Sequence, residues 1–138
     1  MIRKAIRADY PRISEIRLSV RENCLAKSKY ESVDRHADWI FDNAAFWVWE
    51  EDGAIQGFSA ADPRDGTIFA LFVHPSYEGC GIGRALLPLA CQILRNSGDA
   101  AATLSTEPGT RAERFYRRDG WTEIGREHDG QIIFQKAL

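Results

Sequence analysis

Long apolar runs are missing from this chain, cysteines are few, and neither sign of charge dominates. No apolar stretch approaches the ~18 residues of a membrane span, so no membrane partner is expected. The opening MIRKAIRADY is charged throughout and lacks the apolar core of a secretory leader. Cys24, Cys80 and Cys91 are odd in number and never fall in a C-x-x-C pair. Ligands so few and scattered argue against a zinc site, and no metal is expected. Free thiols fit a reducing cytoplasm, the expected location. With 18 basic and 20 acidic residues the net charge is -2, without the basic excess of a general nucleic-acid binder. Repeats, low-complexity tracts and linkers are absent, so residues 1–138 read as one domain. That length buries a core without a metal or disulfide staple.

What is present is an alternation of strand and helix signals. Residues 2–7 predict a strand, and Asp9 predicts a helix N-cap. Ile13, Ile16 and Val20 recur at helical spacing behind it. A short second helix is expected over 34–42, with Trp39, Ile40 and Phe41 as its apolar surface. Phe46-Trp47-Val48-Trp49, a turn at Asp52-Gly53 and a return over 55–60 make a hairpin. After a turn at 62–66, residues 67–73 are apolar on both faces, as in a central buried strand. A helix over 81–96 follows, with Ile82, Leu86, Leu89 and Ile93 on one face. Pro88 removes one backbone bond within it, and Gly98 is its stop. A strand over 101–105, a helix over 110–119 and a hairpin of 121–126 with 131–136 about Asp129-Gly130 complete the chain. The order predicts an α/β (α+β) domain, a mixed and mostly antiparallel sheet of about six or seven strands flanked by about four helices.

The most informative stretch runs from Val73 through His74-Pro75 to Glu78-Gly79-Cys80-Gly81-Ile82-Gly83-Arg84. A buried strand enters three glycines that open a helix. Glycine allows positive φ and close approach of a ligand to the backbone. A helix start offers unpaired N–H groups and the positive end of a dipole. Together they make a cradle for phosphate oxygens. A dinucleotide-binding turn is a rival, but Leu86 stands where its third glycine belongs, and the chain has room for one βαβ unit only. A nucleoside-triphosphate loop is excluded, because no Gly-Lys-Ser/Thr follows.

This segment resembles the acetyl-coenzyme A loop of the GNAT superfamily, Arg/Gln-x-x-Gly-x-Gly/Ala. Here it reads Glu78-x-x-Gly81-x-Gly83, after Val73-x-Pro75. Glu78 departs from the pattern, replacing a donor to the diphosphate with a negative charge. A second segment resembles the family's Asn-x-x-Ala-x-x-Phe-Tyr-x-x-x-Gly-Phe: Ala112, Phe115, Tyr116 and Gly120 match, Trp121 stands for Phe, and Gly109 takes the Asn position. The resemblance covers the chain from about Phe46 to the end and is weaker before it.

The resemblance implies an N-acetyltransferase that moves an acetyl group from acetyl-coenzyme A to a primary amine of a small molecule or protein. A non-catalytic acyl-coenzyme A sensor or interaction module is the alternative. The implied cofactor contacts are Leu71, Phe72 and Val73 along the strand, Glu78, Gly79, Cys80, Gly81, Ile82, Gly83 and Arg84 around the loop, and Phe115. Tyr116 is the implied general acid. Its ordinary pKa of ~10 lies above the ~8.5 of a thiol, so it carries a proton for the departing thiolate. The general base stays open among Glu50, Glu51, Glu107, His74 and a water relay. Arg111, Arg114 and Arg118 fall at helical spacing and either meet the cofactor's phosphates or form a solvated face. Trp39, Trp47 and Trp49 read as core. The resemblance also places the acceptor pocket over residues 21–32 and leaves a homodimer open, since dimers are common in the family.

Overall fold

A computed structural model of the chain describes residues 1–20 and 45–138. The helix expected over 34–42, with Trp39, Ile40 and Phe41, lies outside the described residues. So do Cys24, His36 and the acceptor-pocket assignment to 21–32.

The elements in chain order are β1 (Ile2–Lys4), α1 (Tyr10–Ser19), β2 (Phe46–Glu51), β3 (Ala54–Asp62), β4 (Thr67–Val73), α2 (Ile82–Asn96), β5 (Ala101–Thr106), α3 (Arg111–Arg118), β6 (Thr122–Arg126) and β7 (Ile132–Ala137). Seven strands form one sheet in the order β1-β2-β3-β4-β5-β7-β6. All neighbours are antiparallel except β4 and β5. This is the mixed, mostly antiparallel sheet that the sequence predicts. No helix of the described residues is long and apolar enough to cross a membrane.

Helices cover both faces of the sheet, as the alternation along β3 shows. Phe58 and Ala60 pack in one cluster with Ile13 and Ile16 of α1 and with Phe46, Val48 and Phe72. Gly57 and Ser59, on the opposite face, meet α2: the Ser59 hydroxyl donates to the Leu86 carbonyl at 3.1 Å. The second cluster joins Leu87, Ala90 and Leu94 of α2 to Leu104, Tyr116, Trp121, Ile132 and Phe134. The buried stripe of α2 is therefore Ile82, Leu86, Leu87, Ala90 and Leu94. Leu89 and Ile93, expected on the same face, are half-buried at its flank. Pro88 is exposed within a helix that continues past it.

The first strand is shorter than expected, because the chain turns at Arg7–Asp9 into a single 3-10 turn. Asp9 stands at the N-cap position of α1, yet its side chain does not cap that helix. Its carboxylate turns back instead. Oδ2 accepts from the Ile6 amide at 2.8 Å, and both oxygens receive the Arg3 guanidinium at 2.8 and 2.9 Å. Arg3 also donates to Glu50 on β2 at 2.6 Å. Asp9 and Arg3 between them thus tie the edge strand, the first turn and β2 together.

Two features shape the centre of the sheet. The first is the contact between α2 and β3. A Cβ on Gly57 would lie 2.9 Å from Ile82 Cγ2 and 3.0 Å from the Phe72 carbonyl oxygen, so the start of α2 sits as low on the sheet as a missing side chain permits. The second is the parting of β4 from β5. Among the described residues they share one registered pair, Thr67 with Thr103. β3 follows β4 to its end, where Gly57 pairs with Val73. β5 pairs along its whole length with β7 on its other side. Beyond Thr67, the edge of β4 facing β5 has no strand partner among the described residues.

Arg3 holds the Asp9 carboxyl below the ordinary carboxylate value of 3.8. A carboxyl with a depressed folded pKa contributes stability above that value and loses it as pH falls. Asp9→Asn should cost about 1–3 kcal/mol in urea unfolding at neutral pH, the range for a lost charged hydrogen bond. The difference from wild type should shrink as pH falls below the ordinary carboxylate range. Gly57→Ala should cost about 1–3 kcal/mol by forcing α2 outward, read as a lower unfolding midpoint.

Candidate active site

A cleft of about 380 Å³ opens where β4 and β5 part. Leu71, Phe72 and Val73 of β4 line its base. Glu78, Gly79, Cys80 and Gly81 of the loop, with Ile82, Gly83 and Arg84 of α2, form one wall. Arg111, Ala112, Phe115, Tyr116 and Arg118 of α3 form the other. Every residue that the sequence assigns to cofactor or acid is brought to this one cleft, although the two motifs lie some thirty residues apart.

The loop is built by local chemistry. The His74 amide donates to the Gln56 carbonyl at 2.8 Å and fixes the end of β4. Its ring Nδ1 accepts from the Ser76 amide at 3.1 Å and caps the short turn Pro75–Tyr77. His74 is therefore a strand-end residue and does not line the cleft. Gly79 and Gly81 have φ of +79° and +85°, the left-handed region in which a side chain is strained. Gly81 is the N-cap of α2 and supplies no side-chain cap. The first α-helical bond of α2 runs from the Ala85 amide to the Gly81 carbonyl at 3.1 Å. The amides of Ile82, Gly83 and Arg84 thus precede the helical ladder, at the positive end of a 15-residue helix. Gly83 is an ordinary helical residue, and a Cβ there would meet Val73 Cγ2 at an unstrained 3.8 Å. The side chain of Ile82 is buried in the core, so its backbone is what it offers the cleft.

Glu78 makes an ion pair across the cleft. Its Oε2 accepts from Arg111 Nη1 at 3.2 Å. The other terminal nitrogen, Nη2, lies 3.1 Å from where a Cβ of Gly79 would stand. Arg111 thus extends from the start of α3 to the glycine loop. Arg118 also lines the cleft, whereas Arg114 does not. The helical spacing of the three arginines does not separate them. Sequence reasoning misses the Glu78–Arg111 pair; the acid at position 78, which calls for a compensating cation, is the signal for it. Val20, Tyr77 and Ala112 line the cleft as well, and sequence reasoning does not assign them to the cofactor.

Tyr116 is held by aromatic neighbours. Its ring meets Trp121 edge-on at 5.9 Å, Phe115 at 5.3 Å and Phe134 at 6.0 Å. Trp121, in the family's Phe position, donates from its indole nitrogen to Asp119 at 3.1 Å. Burial pushes the Tyr116 phenol well above its ordinary value of 10, with Cys91 and Asp119 adding to the rise. The phenol therefore keeps its proton at any working pH. Burial also raises the Cys91 thiol.

None of the four side chains considered as general base lines the cleft. Glu50 is bound by Arg3, and Glu51 faces the N-terminal ammonium at 3.5 Å. The Glu107 carbonyl accepts from the Thr110 hydroxyl at 2.8 Å, fastening the turn that enters α3. Among the described residues, Glu78 is the only carboxylate lining the cleft. Trp47 and Trp49 read as core in the sequence, but they are half-buried on β2 and lie outside both core clusters, and Lys4 Nζ lies 5.2 Å from the Trp47 ring centre. No group of three or more metal-ligating side chains occurs among the described residues.

Known proteins resemble this chain in sequence and in fold. A mycothiol acetyltransferase of Streptomyces coelicolor is 32% identical over 107 residues, covering 74% of this chain and 33% of that protein. The chain therefore spans about a third of that relative's length. The peptidyl-lysine N-acetyltransferase YiaC of Escherichia coli is 37% identical over 92 residues, covering 63% of this chain and 62% of that protein. The PaiA N-acetyltransferase of Thermoplasma acidophilum, solved in complex with coenzyme A, superposes with a TM-score of 0.73 at 18% identity, covering 100% of this chain and 98% of that one. The model of the acetyltransferase (GNAT) family matches residues 8–121, a span that takes in the glycine loop, the unpaired edge of β4 and Tyr116, and the chain belongs to that family.

Proposed function

We propose that this chain transfers an acetyl group from acetyl-coenzyme A to a primary amine, with residues 1–138 acting as one catalytic unit. The observation that carries the reading is the meeting of three features at one cleft: the start of α2, the unpaired edge of β4, and Tyr116.

The residues present fit the co-substrate. Amides of residues 82–84 and the dipole of α2 suit a diphosphate. Main-chain groups of Leu71, Phe72 and Val73 suit the amides of a pantetheine arm, with Phe115 as apolar cover. Glu78 is withdrawn from the direct contacts, because its carboxylate already holds Arg111. Acetyl-coenzyme A supplies the acetyl group as a thioester. Holding a thioester and an amine together lowers the barrier by several kcal/mol, about 7–11 in favourable cases. A β4 amide is placed to polarise the thioester carbonyl.

Tyr116 carries the proton for the sulfur. Its raised pKa opposes full transfer to a thiolate in water. The same desolvation penalises a thiolate formed beside it, so the two affinities for the proton rise together. The amine gives up its proton as it attacks; among the described residues the carboxylate at the cleft is Glu78, already paired with Arg111. The relatives are named for mycothiol and for peptidyl-lysine, two different molecules, so the acceptor does not carry over. A cytoplasmic location belongs to the same reading, supported by the free and exposed Cys80 thiol.

Calorimetry with acetyl-coenzyme A and thiol release with a panel of amines test this proposal. Tyr116→Phe should keep the fold and lower kcat by about 10²-fold, the usual scale for a lost acid, with little change in KM for acetyl-coenzyme A. Unchanged kcat removes the acid role. Binding without thiol release for any amine points to a sensor module, and absence of binding ends the reading.

A further inference from the structure

An acid beside a phosphate-binding loop is repulsive unless something neutralises it. Glu78 is such an acid, one residue before Gly79 and four before the first residue of α2. The group that meets it is Arg111, 33 residues along the chain. A guanidinium is planar and presents several donors in fixed directions. Nη1 is engaged by Glu78 at 3.2 Å, and the fork then places Nη2 over Gly79. Both residues line the cleft. The pair is partly open to solvent, with side-chain exposures of 52% for Arg111 and 35% for Glu78. An ion pair that open adds little to stability. Its geometry is better explained by where it puts the cation.

We propose that Arg111 is the side-chain cation for the coenzyme's diphosphate, and that Glu78 is the positioning residue that holds its guanidinium over the glycine loop. The inference rests on the acetyl-coenzyme A reading above. It adds that one positive charge is delivered to the loop from α3, by a contact between the two motif segments. Charge-assisted pairing of a guanidinium with phosphate is stronger than a neutral hydrogen bond and keeps its direction.

Calorimetry of the full chain with coenzyme A, 3′-dephospho-coenzyme A and S-acetylpantetheine tests this. Wild-type binding of coenzyme A establishes the underlying reading independently. Arg111→Gln should then weaken coenzyme A and 3′-dephospho-coenzyme A about tenfold and leave S-acetylpantetheine, which lacks the diphosphate, unchanged. It should also flatten the salt dependence of coenzyme A binding, as one phosphate-facing charge is lost. Arg111→Glu should weaken coenzyme A about a hundredfold, and adding Glu78→Arg should restore it to within about threefold of wild type, because the swap returns one cation to the loop. Coenzyme A affinity within twofold of wild type in Arg111→Gln overturns the proposal. So does a loss that disappears with 3′-dephospho-coenzyme A, which would place Arg111 at the other phosphate. Failure of the charge swap to rescue overturns the positioning role of Glu78.

Discussion

The single parallel pairing between β4 and β5 governs the rest of the molecule. Thr67 and Thr103 bring the two strands together at one point. β5 is committed along its other side to β7, and β4 along its other side to β3. With both strands held from outside, the sheet opens between them. The loop after β4 must then reach α2 across that opening. Gly57 lets the start of α2 sit close to the sheet, so the amides at its tip are brought down to the cleft. α3 enters from the other side through Thr110, whose hydroxyl accepts from the Glu113 amide at 3.1 Å as an N-cap.

Much of the fold was legible because its periodicities are local. The apolar run over 67–73, the glycine punctuation at 53, 66, 98 and 130, and the two hairpins mark strands whose ends shift by a residue or two in the structure. Asp9 shows where local reading stops. Its position matches a helix cap, but Arg3 lies six residues earlier on a neighbouring strand and captures the carboxylate. A charged partner outcompetes a backbone amide. The unpaired edge of β4 was not legible either, because pairing is a property of two strands and register leaves little trace in one.

At the site, backbone roles were easier to read than side-chain roles. Glycines announce a backbone that needs positive φ, and Gly79 and Gly81 have it. Gly83 carries the same letter without the same need. Arg111, Arg114 and Arg118 share a helical spacing and divide in the structure into two that line the cleft and one that does not. That division depends on the tilt of α3 against its neighbours, which Tyr116, Trp121 and Phe134 set by packing. Carboxylates considered for a base are drawn away by tertiary ion pairs, Glu50 to Arg3 among them.

Most sheets have two borders. This one has a third among the described residues, running beyond Thr67 and facing inward, because β4 continues after β5 has turned away. On the proposed reading, a ligand whose amides are spaced like those of a chain lies along that inner border as a partial extra strand. Recognition of this kind is largely blind to side-chain identity, since every residue but proline offers the same N–H and carbonyl. What the ligand reads at residues 71–73 is therefore the backbone, while the Phe72 side chain serves the core.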